Sequence, residues 1–266
     1  EITPPSLWEG LSSLAAGFRL ASRWPSAALH PWRRESIQRL KALKDIHRGK
    51  RCFIIGNGPS LNVTDVSPLK NEFTFGMNRV YLAFPDWGFP TSVLVSVNNL
   101  VIEQSAEDLR ALEIPKFFSW RARHLLYPEG SPDHLTHFLF TTYEKPGFAT
   151  SAVGRLWEGA TVTYVCLQLA FHMGFEKAIL IGVDHSFSTR GEANKTVISE
   201  GDDPNHFSKQ YFGKGFRWQL PDLDTSEIAY EMARRAYHQA GRQVVDATIG
   251  GKLTIFPRVD YNSLFE

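Results

Sequence analysis

The sequence predicts an α/β protein: a doubly wound, mostly parallel sheet with helices on both faces and a helical extension at the N-terminus. Three observations predict it. Short apolar runs without charges recur along the chain and stop abruptly at Gly, Asn or Asp, as strands buried on both faces do. Helical patterns alternate with these runs. Late in the chain a helical run apolar almost all round, residues 160–174, feeds a strand at 177–183 that fits beside the first strand of such a sheet.

The N-terminal extension, residues 1–48, holds two helical patterns. In the first, Leu7, Trp8, Leu11, Leu14, Ala15, Phe18 and Leu20 recur at helical spacing with Arg19, Arg23, Arg33 and Arg34 nearby. It reads either as a helix packed on the main domain or a neighbour, or as an interfacial helix touching anionic lipid. The second, 35–47, carries an Ile37, Leu40, Leu43, Ile46 stripe and ends at Gly49. The rest, 49–266, reads as one domain.

The first strand, 52–55, empties into Gly56-Asn57-Gly58-Pro59-Ser60. The glycines permit positive φ or close approach of a ligand, and Pro59 fixes the turn. Leu61 holds the place of the third glycine of a dinucleotide fingerprint, and no Gly-Lys-Ser/Thr follows, so neither that motif nor a P-loop is present. A second strand at 73–78 ends on Asn78, and a third at 91–97 on Asn98 and Asn99. Each Asn alone reads as a turn former; three at the carboxyl ends of successive parallel strands read as a ligand edge.

Further strands are expected at 116–120 and 137–141, a helix at 106–113, and a flap of small residues at 143–153. Thr161 or Thr163 marks the amino end of the buried 160–174 helix, where free N–H groups favour an anion. The strand after it stops at Asp184-His185-Ser186, a carboxylate and an imidazole at the same sheet edge. Asp184 reads there as a base or orienter, or as a cap for backbone amides.

The connection from Phe187 to Leu223 is long enough to be functional. It holds an acidic patch (Glu200, Asp202, Asp203) and a His206, Tyr211, Lys214, Arg217 group whose hydroxyl and cations suit diphosphate oxygens. A helix at 224–240 follows, with Asp224 and Glu227 spaced as a capping box, then a last strand at 243–247. Asp222-Leu223-Asp224 has the form of a metal-binding D-x-D, but capping explains Asp224 and no metal ligands are assigned.

At 266 residues, 43% hydrophobic and 21% charged, the chain suits one large globular α/β domain. With 29 basic and 28 acidic residues it lacks the basic excess of a nucleic-acid-binding surface. Cys52 and Cys166 read as small buried hydrophobes, which suits a reducing, cytoplasmic compartment. No run of residues is long enough for a membrane span. G-x-S-x-G is absent, which excludes the usual serine-hydrolase elbow.

Several stretches together resemble the bacterial domain family grouped with 6-hydroxymethylpterin diphosphokinase (MptE-like), which includes the domain of motility-associated flagellin glycosyltransferases. They are GNGPSL at 56–61, Asn78, the run from Gly159 to Phe187, the segment DPNHFSKQYFGKGFRW at 203–218 and GGKLTIFPRVDY at 250–261. The layout is also similar to bacterial family 42 sialyltransferases. That resemblance implies a Rossmann-like domain in which Asn57 and Asn78, with Asn98 or Asn99, contact a CMP-linked sugar. The chain departs from it at Ser186, where those enzymes have Tyr, and at Gly159 and Val162, where they have Arg-x-x-Ser. Their catalytic His falls near Gln210, while His206 aligns with an earlier His, so either His206 or His185 substitutes as base or the chemistry differs.

The expectation is a nucleotide-dependent glycosyltransferase taking a nucleotide-activated, CMP-favoured sugar to a glycan or small-alcohol acceptor. Gly56, Asn57, Gly58, Ser60, Asn78, Asn98, Thr161 and Ser186 would bind nucleotide. Tyr211 and Lys214 would neutralise the leaving phosphate; Asp184, His185 and His206 would carry the chemistry. One alternative is diphosphate transfer from ATP, with Mg²⁺, to a pterin-like alcohol. Another is a nucleotide-binding module without catalysis. Peripheral membrane contact through the first helix and homo-oligomerisation are further expectations.

Overall fold

The computed structural model describes residues 17, 22–187 and 191–266. The apolar positions of the first N-terminal pattern, Leu7 to Leu20, and Arg190 lie outside the described residues. An eight-stranded, wholly parallel sheet runs through the molecule. Its strands are β1 (Arg51–Ile55), β2 (Thr74–Met77), β3 (Val93–Ser96), β4 (Lys116–Ser119), β5 (Thr136–Thr142), β6 (Arg155–Trp157), β7 (Lys177–Ile181) and, after an outlying hairpin of β8 (Thr196–Ile198) and β9 (Arg217–Gln219), β10 (Gln243–Asp246). The order is β10-β7-β1-β2-β3-β4-β5-β6. The chain builds outward from β1 to β6, then returns to lay β7 on the other side of β1, in register from Arg51 opposite Lys177 to Ile55 opposite Ile181.

Every residue of β2 to β5 is buried. Alternate residues of β1 serve the two faces: Cys52 and Ile54 join one core, Phe53 and Ile55 the other. The first core is roofed by α4 (Val162–His172) and α5 (Leu223–Gln239). The second is roofed by α2 (Asn99–Gln104), α3 (Ala106–Ala111) and the C-terminal tail through Tyr261 and Phe265. α4 is buried along its whole length. This accounts for its lack of a polar face.

The helix α1 (Pro31–Leu43) starts on Pro31 and is capped by the His30 ring accepting from the Trp32 N–H. It is stitched into the domain. Arg33 donates to the Val153 carbonyl at 2.8 Å, the Ser36 hydroxyl accepts from the Phe138 N–H, and the Leu40 carbonyl accepts from the His172 ring. Leu40 itself is fully buried in the first core. Residues 31–43, assigned by sequence to the extension, thus help close the domain.

Two other segments differ from expectation. The 143–153 segment is pinned rather than free: the Ala149 N–H donates to Gln168, and Tyr164 donates to the Gly147 carbonyl. Gln168 also donates to the Trp157 carbonyl, so one buried amide ties segment, strand β6 and helix α4 together. At α5 the cap is Asp222, accepting from the Thr225 N–H at 3.0 Å; Asp224 lies exposed in the first turn, and Glu227 faces away to His185. The expected capping box is therefore absent.

Candidate functional site

In open α/β sheets the crevice forms where strand order reverses, beyond the carboxyl ends of the two diverging strands. Here that point is between β1 and β7. A cavity of about 240 Å³ opens there. Its floor is the turn after β1 and the Gly182–Phe187 run after β7.

The glycines at this floor are used by the protein itself. The Gly58 N–H donates to the Gly182 carbonyl at 2.9 Å, and a Cβ on Gly56 would sit 2.2 Å from that same oxygen. A Cβ on Gly58 would sit 1.8 Å from Asp184 Oδ2. The missing side chains let two strand ends touch. Asp184 is correspondingly committed: its two oxygens accept from the Ser60 N–H at 3.1 Å and the Ser60 hydroxyl at 2.7 Å. Asp184 is thus a clip between the turns after β7 and β1, and Ser60 is its partner. The geometry gives Asp184 neither the role of base nor that of orienter for His185, and Ser60 does not line the cavity.

Because β1, β2 and β3 are neighbours, Asn57, Asn78 and Asn98 do stand along one edge, and all three line the cavity. They differ in what they have left to offer. Asn98 is the N-cap of α2, its Oδ1 accepting from the Leu100 and Val101 N–H groups. Asn78, at φ +50°, accepts the Ser96 hydroxyl. Asn57 donates through Nδ2 to the Met77 carbonyl at 3.2 Å, while its buried Oδ1 has no partner among the described residues. The Met77 contact fixes the orientation of the amide, so the unsatisfied atom is an acceptor.

The long connection folds into a docked cap with its own small core of Tyr211, Phe212, Trp218 and Leu220 against Val101. It is fastened to the site: the Phe207 N–H donates to the Asn57 carbonyl at 2.9 Å, and the Arg79 guanidinium donates to the Gln210 and Tyr211 carbonyls. This brings His206 and Tyr211 to the cavity wall, stacked ring on ring at 4.0 Å. Burial pushes the Tyr211 hydroxyl pKa up, so the group stays protonated. Lys214 goes elsewhere. It sits exposed at the Gly-flanked turn before β9 and does not line the cavity, away from the place expected for a leaving phosphate. No Lys or Arg among the described residues lines the cavity.

Two carboxylates that the sequence did not mark as site residues hold the two histidines. Asp203 Oδ2 lies 2.7 Å from His206 Nδ1, and Glu227 Oε1 lies 2.8 Å from His185 Nε2. The three-residue spacing of Asp203 and His206 was the available signal; His185 and Glu227 are 42 apart in sequence and gave none.

The remaining wall is made of helix starts. Thr161, Val162 and Thr163 open α4, with the Thr161 hydroxyl accepting from the Thr163 N–H, and Asp222 and Leu223 open α5. Ser186 lines the cavity beside them. Among the described residues no group of three His, Cys, Asp or Glu is placed to hold a metal ion. Both cavity carboxylates of the D-x-D and D-H-S runs are already bonded, Asp222 to Thr225 and Asn194, Asp184 to Ser60. For Mg²⁺, which one or two carboxylates and substrate phosphates can hold, the cavity wall has only these two among the described residues, both already accepting hydrogen bonds.

A doubly wound α/β domain with its cavity at the reversal of strand order defines the class. The chain belongs to the MptE-like family: the family model described as "6-hydroxymethylpterin diphosphokinase MptE-like" matches residues 29–190. Among solved structures it is similar to the MAf glycosyltransferase from Magnetospirillum magneticum AMB-1, with a TM-score of 0.50 at 15% identity, over 98% of this chain and 43% of that one. The chain thus spans less than half the length of that relative. No curated protein matches it. Both descriptions, diphosphokinase and glycosyltransferase, are of transferases.

Proposed function

We infer that the chain is a nucleotide-dependent transferase, a glycosyltransferase that takes a sugar from a nucleotide donor, with a nucleoside monophosphate such as CMP as the leaving group. The observation that carries this reading is Asn57: a buried, oriented acceptor at the end of β1 with no partner among the described residues. An unmet buried acceptor costs about 1–3 kcal/mol, which a ligand donor restores. A ribose hydroxyl or a cytosine amine supplies such a donor; a phosphate oxygen does not.

The charge of the cavity supports a monophosphate. Its anion-binding capacity rests on the amino ends of α4 and α5; two carboxylates, Asp184 and Asp222, and no Lys or Arg are among the described lining residues. A diphosphate or ATP carries more charge than this wall compensates. Together with carboxylates already engaged, this disfavours Mg²⁺-dependent diphosphate transfer from ATP.

In the proposed reaction the acceptor, a glycan or small alcohol, places a hydroxyl between His206 and the anomeric carbon. Its oxygen bonds that carbon, and its proton passes to the imidazole. The bond from the anomeric carbon to the phosphate oxygen breaks, and the electron pair leaves with the nucleotide. The helix amino ends stabilise the charge that develops there.

A thermal-shift panel of CMP, UDP-, GDP- and CMP-linked sugars and ATP tests the reading. CMP and CMP-sugars are expected to raise Tm, because a ligand that binds only the native state stabilises it by mass action. Stabilisation by ATP with Mg²⁺ alone, or by no nucleotide, would sink it.

A further inference from the structure

The connection between β7 and α5 does more than cover the cavity. Asp203 is buried, and each of its carboxylate oxygens is bonded: Oδ1 accepts from the Asn205 N–H at 2.9 Å, Oδ2 from His206 Nδ1 at 2.7 Å. A carboxylate cannot donate, so the proton of the neutral imidazole is on Nδ1 and the lone pair on Nε2. Nε2 bonds to no described residue. The ring is clamped flat on Tyr211, with interplanar angle 7°, and edged by Phe212 and Phe187. Position and tautomer are both fixed before any substrate arrives.

The second histidine is held differently. The side chain of Glu227 is 50% exposed, whereas that of Asp203 is 4% exposed. Glu227 takes the Nε2 of His185, and water competes for that contact. Tyr230, the nearest ring, lies tilted at 6.2 Å and clamps nothing.

We propose that Asp203 is the positioning residue that makes His206, and not His185, the base: it locks the Nδ1–H tautomer and presents the Nε2 lone pair to the acceptor hydroxyl. The proposal rests on the transferase reading only for the identity of that hydroxyl; the tautomer is a property of the protein alone.

Asp203→Asn separates the two levels. The Asn205 N–H requires an acceptor opposite it, so the amide oxygen must take that side. The NH₂ then faces His206 Nδ1, which becomes an acceptor and forces the proton onto Nε2. Shape and packing are kept, and the lone pair is turned away from the acceptor.

Imidazole ¹⁵N spectra of histidine-labelled protein at alkaline pH read this directly, with His206→Gln identifying the signal. The expected result is an unprotonated Nε2 in wild type and a protonated one in Asp203→Asn. A protonated Nε2 in wild type, or the same tautomer in both, overturns the proposal. In parallel, CMP release from CMP-N-acetylneuraminate is expected to lose at least about 100-fold in kcat in Asp203→Asn, with KM within about twofold. A merely structural role would instead move KM and Tm and leave kcat; that pattern also overturns it. Wild type that binds and cleaves no nucleotide sinks the transferase reading, and the ¹⁵N result then decides the role of Asp203 by itself.

Discussion

Asn57 and His172 are buried polar residues with opposite consequences. Asn57 is left incomplete at the cavity wall, where a ligand can complete it. His172 is incomplete in the core: Nε2 donates to the Leu40 carbonyl at 2.8 Å, Nδ1 has no partner among the described residues, and burial lowers the pKa from 6.5. The folded state therefore holds this ring neutral, while the unfolded chain takes up a proton as pH falls through 6.5. Its contribution is complete above that value and lost below it. His137, lowered by burial, acts in the same direction. Unfolding free energy is expected to fall between about pH 7 and pH 5, and His172→Gln, which keeps a donor for Leu40, to flatten part of that slope. An unchanged slope in denaturant titrations would contradict this. At this scale the structure shows which of the atoms named from the sequence the protein already uses. Asn98, Asp184 and Lys214 carry suitable chemistry, but a helix cap, a strand clip and an exposed turn use them. Side-chain chemistry is visible in a sequence; the partner that consumes it is not.

At the scale of elements, the crossing of the turns after β1 and β7 is the tightest joint in the site. The Gly56 site has no room for a methyl group, since the obstructing atom is the backbone oxygen of Gly182. Gly56→Ala is expected to cost about 3 kcal/mol and to open the cavity floor, whereas Gly147→Ala, whose Cβ meets nothing within 4 Å, is expected to be near neutral. Equal Tm values for the two variants would show that the crossing is loose. The seven strands with apolar runs were legible, because continuous burial on two faces leaves a continuous apolar signature. The three-residue strands β6, β8 and β9 were not: they are too short to show a period, and only pairing with distant strands defines them. The α2 helix was hidden because its Asn98 cap reads equally well as a ligand residue.

At the scale of the whole molecule, function follows from the order in which the sheet is built. Strands β1, β2 and β3 align the Asn edge, and the return of the chain to β7 places His185 beside it. The following connection then lays His206 across the top. Among the described residues no helix is long and apolar enough to cross a membrane. The reversal of strand order was readable from the late helix–strand pair; the docking of the cap was not, since it depends on Arg79 and on the backbone of Asn57. On the proposed function, a nucleoside monophosphate lies over this edge and completes Asn57. Calorimetric titration of CMP into wild type, Asn57→Ala and Lys214→Ala tests it most directly. The expected result is one site in wild type, roughly tenfold weaker binding in Asn57→Ala (about 1.4 kcal/mol) and unchanged binding in Lys214→Ala. Wild-type affinity in Asn57→Ala, or a loss confined to Lys214→Ala, would contradict it.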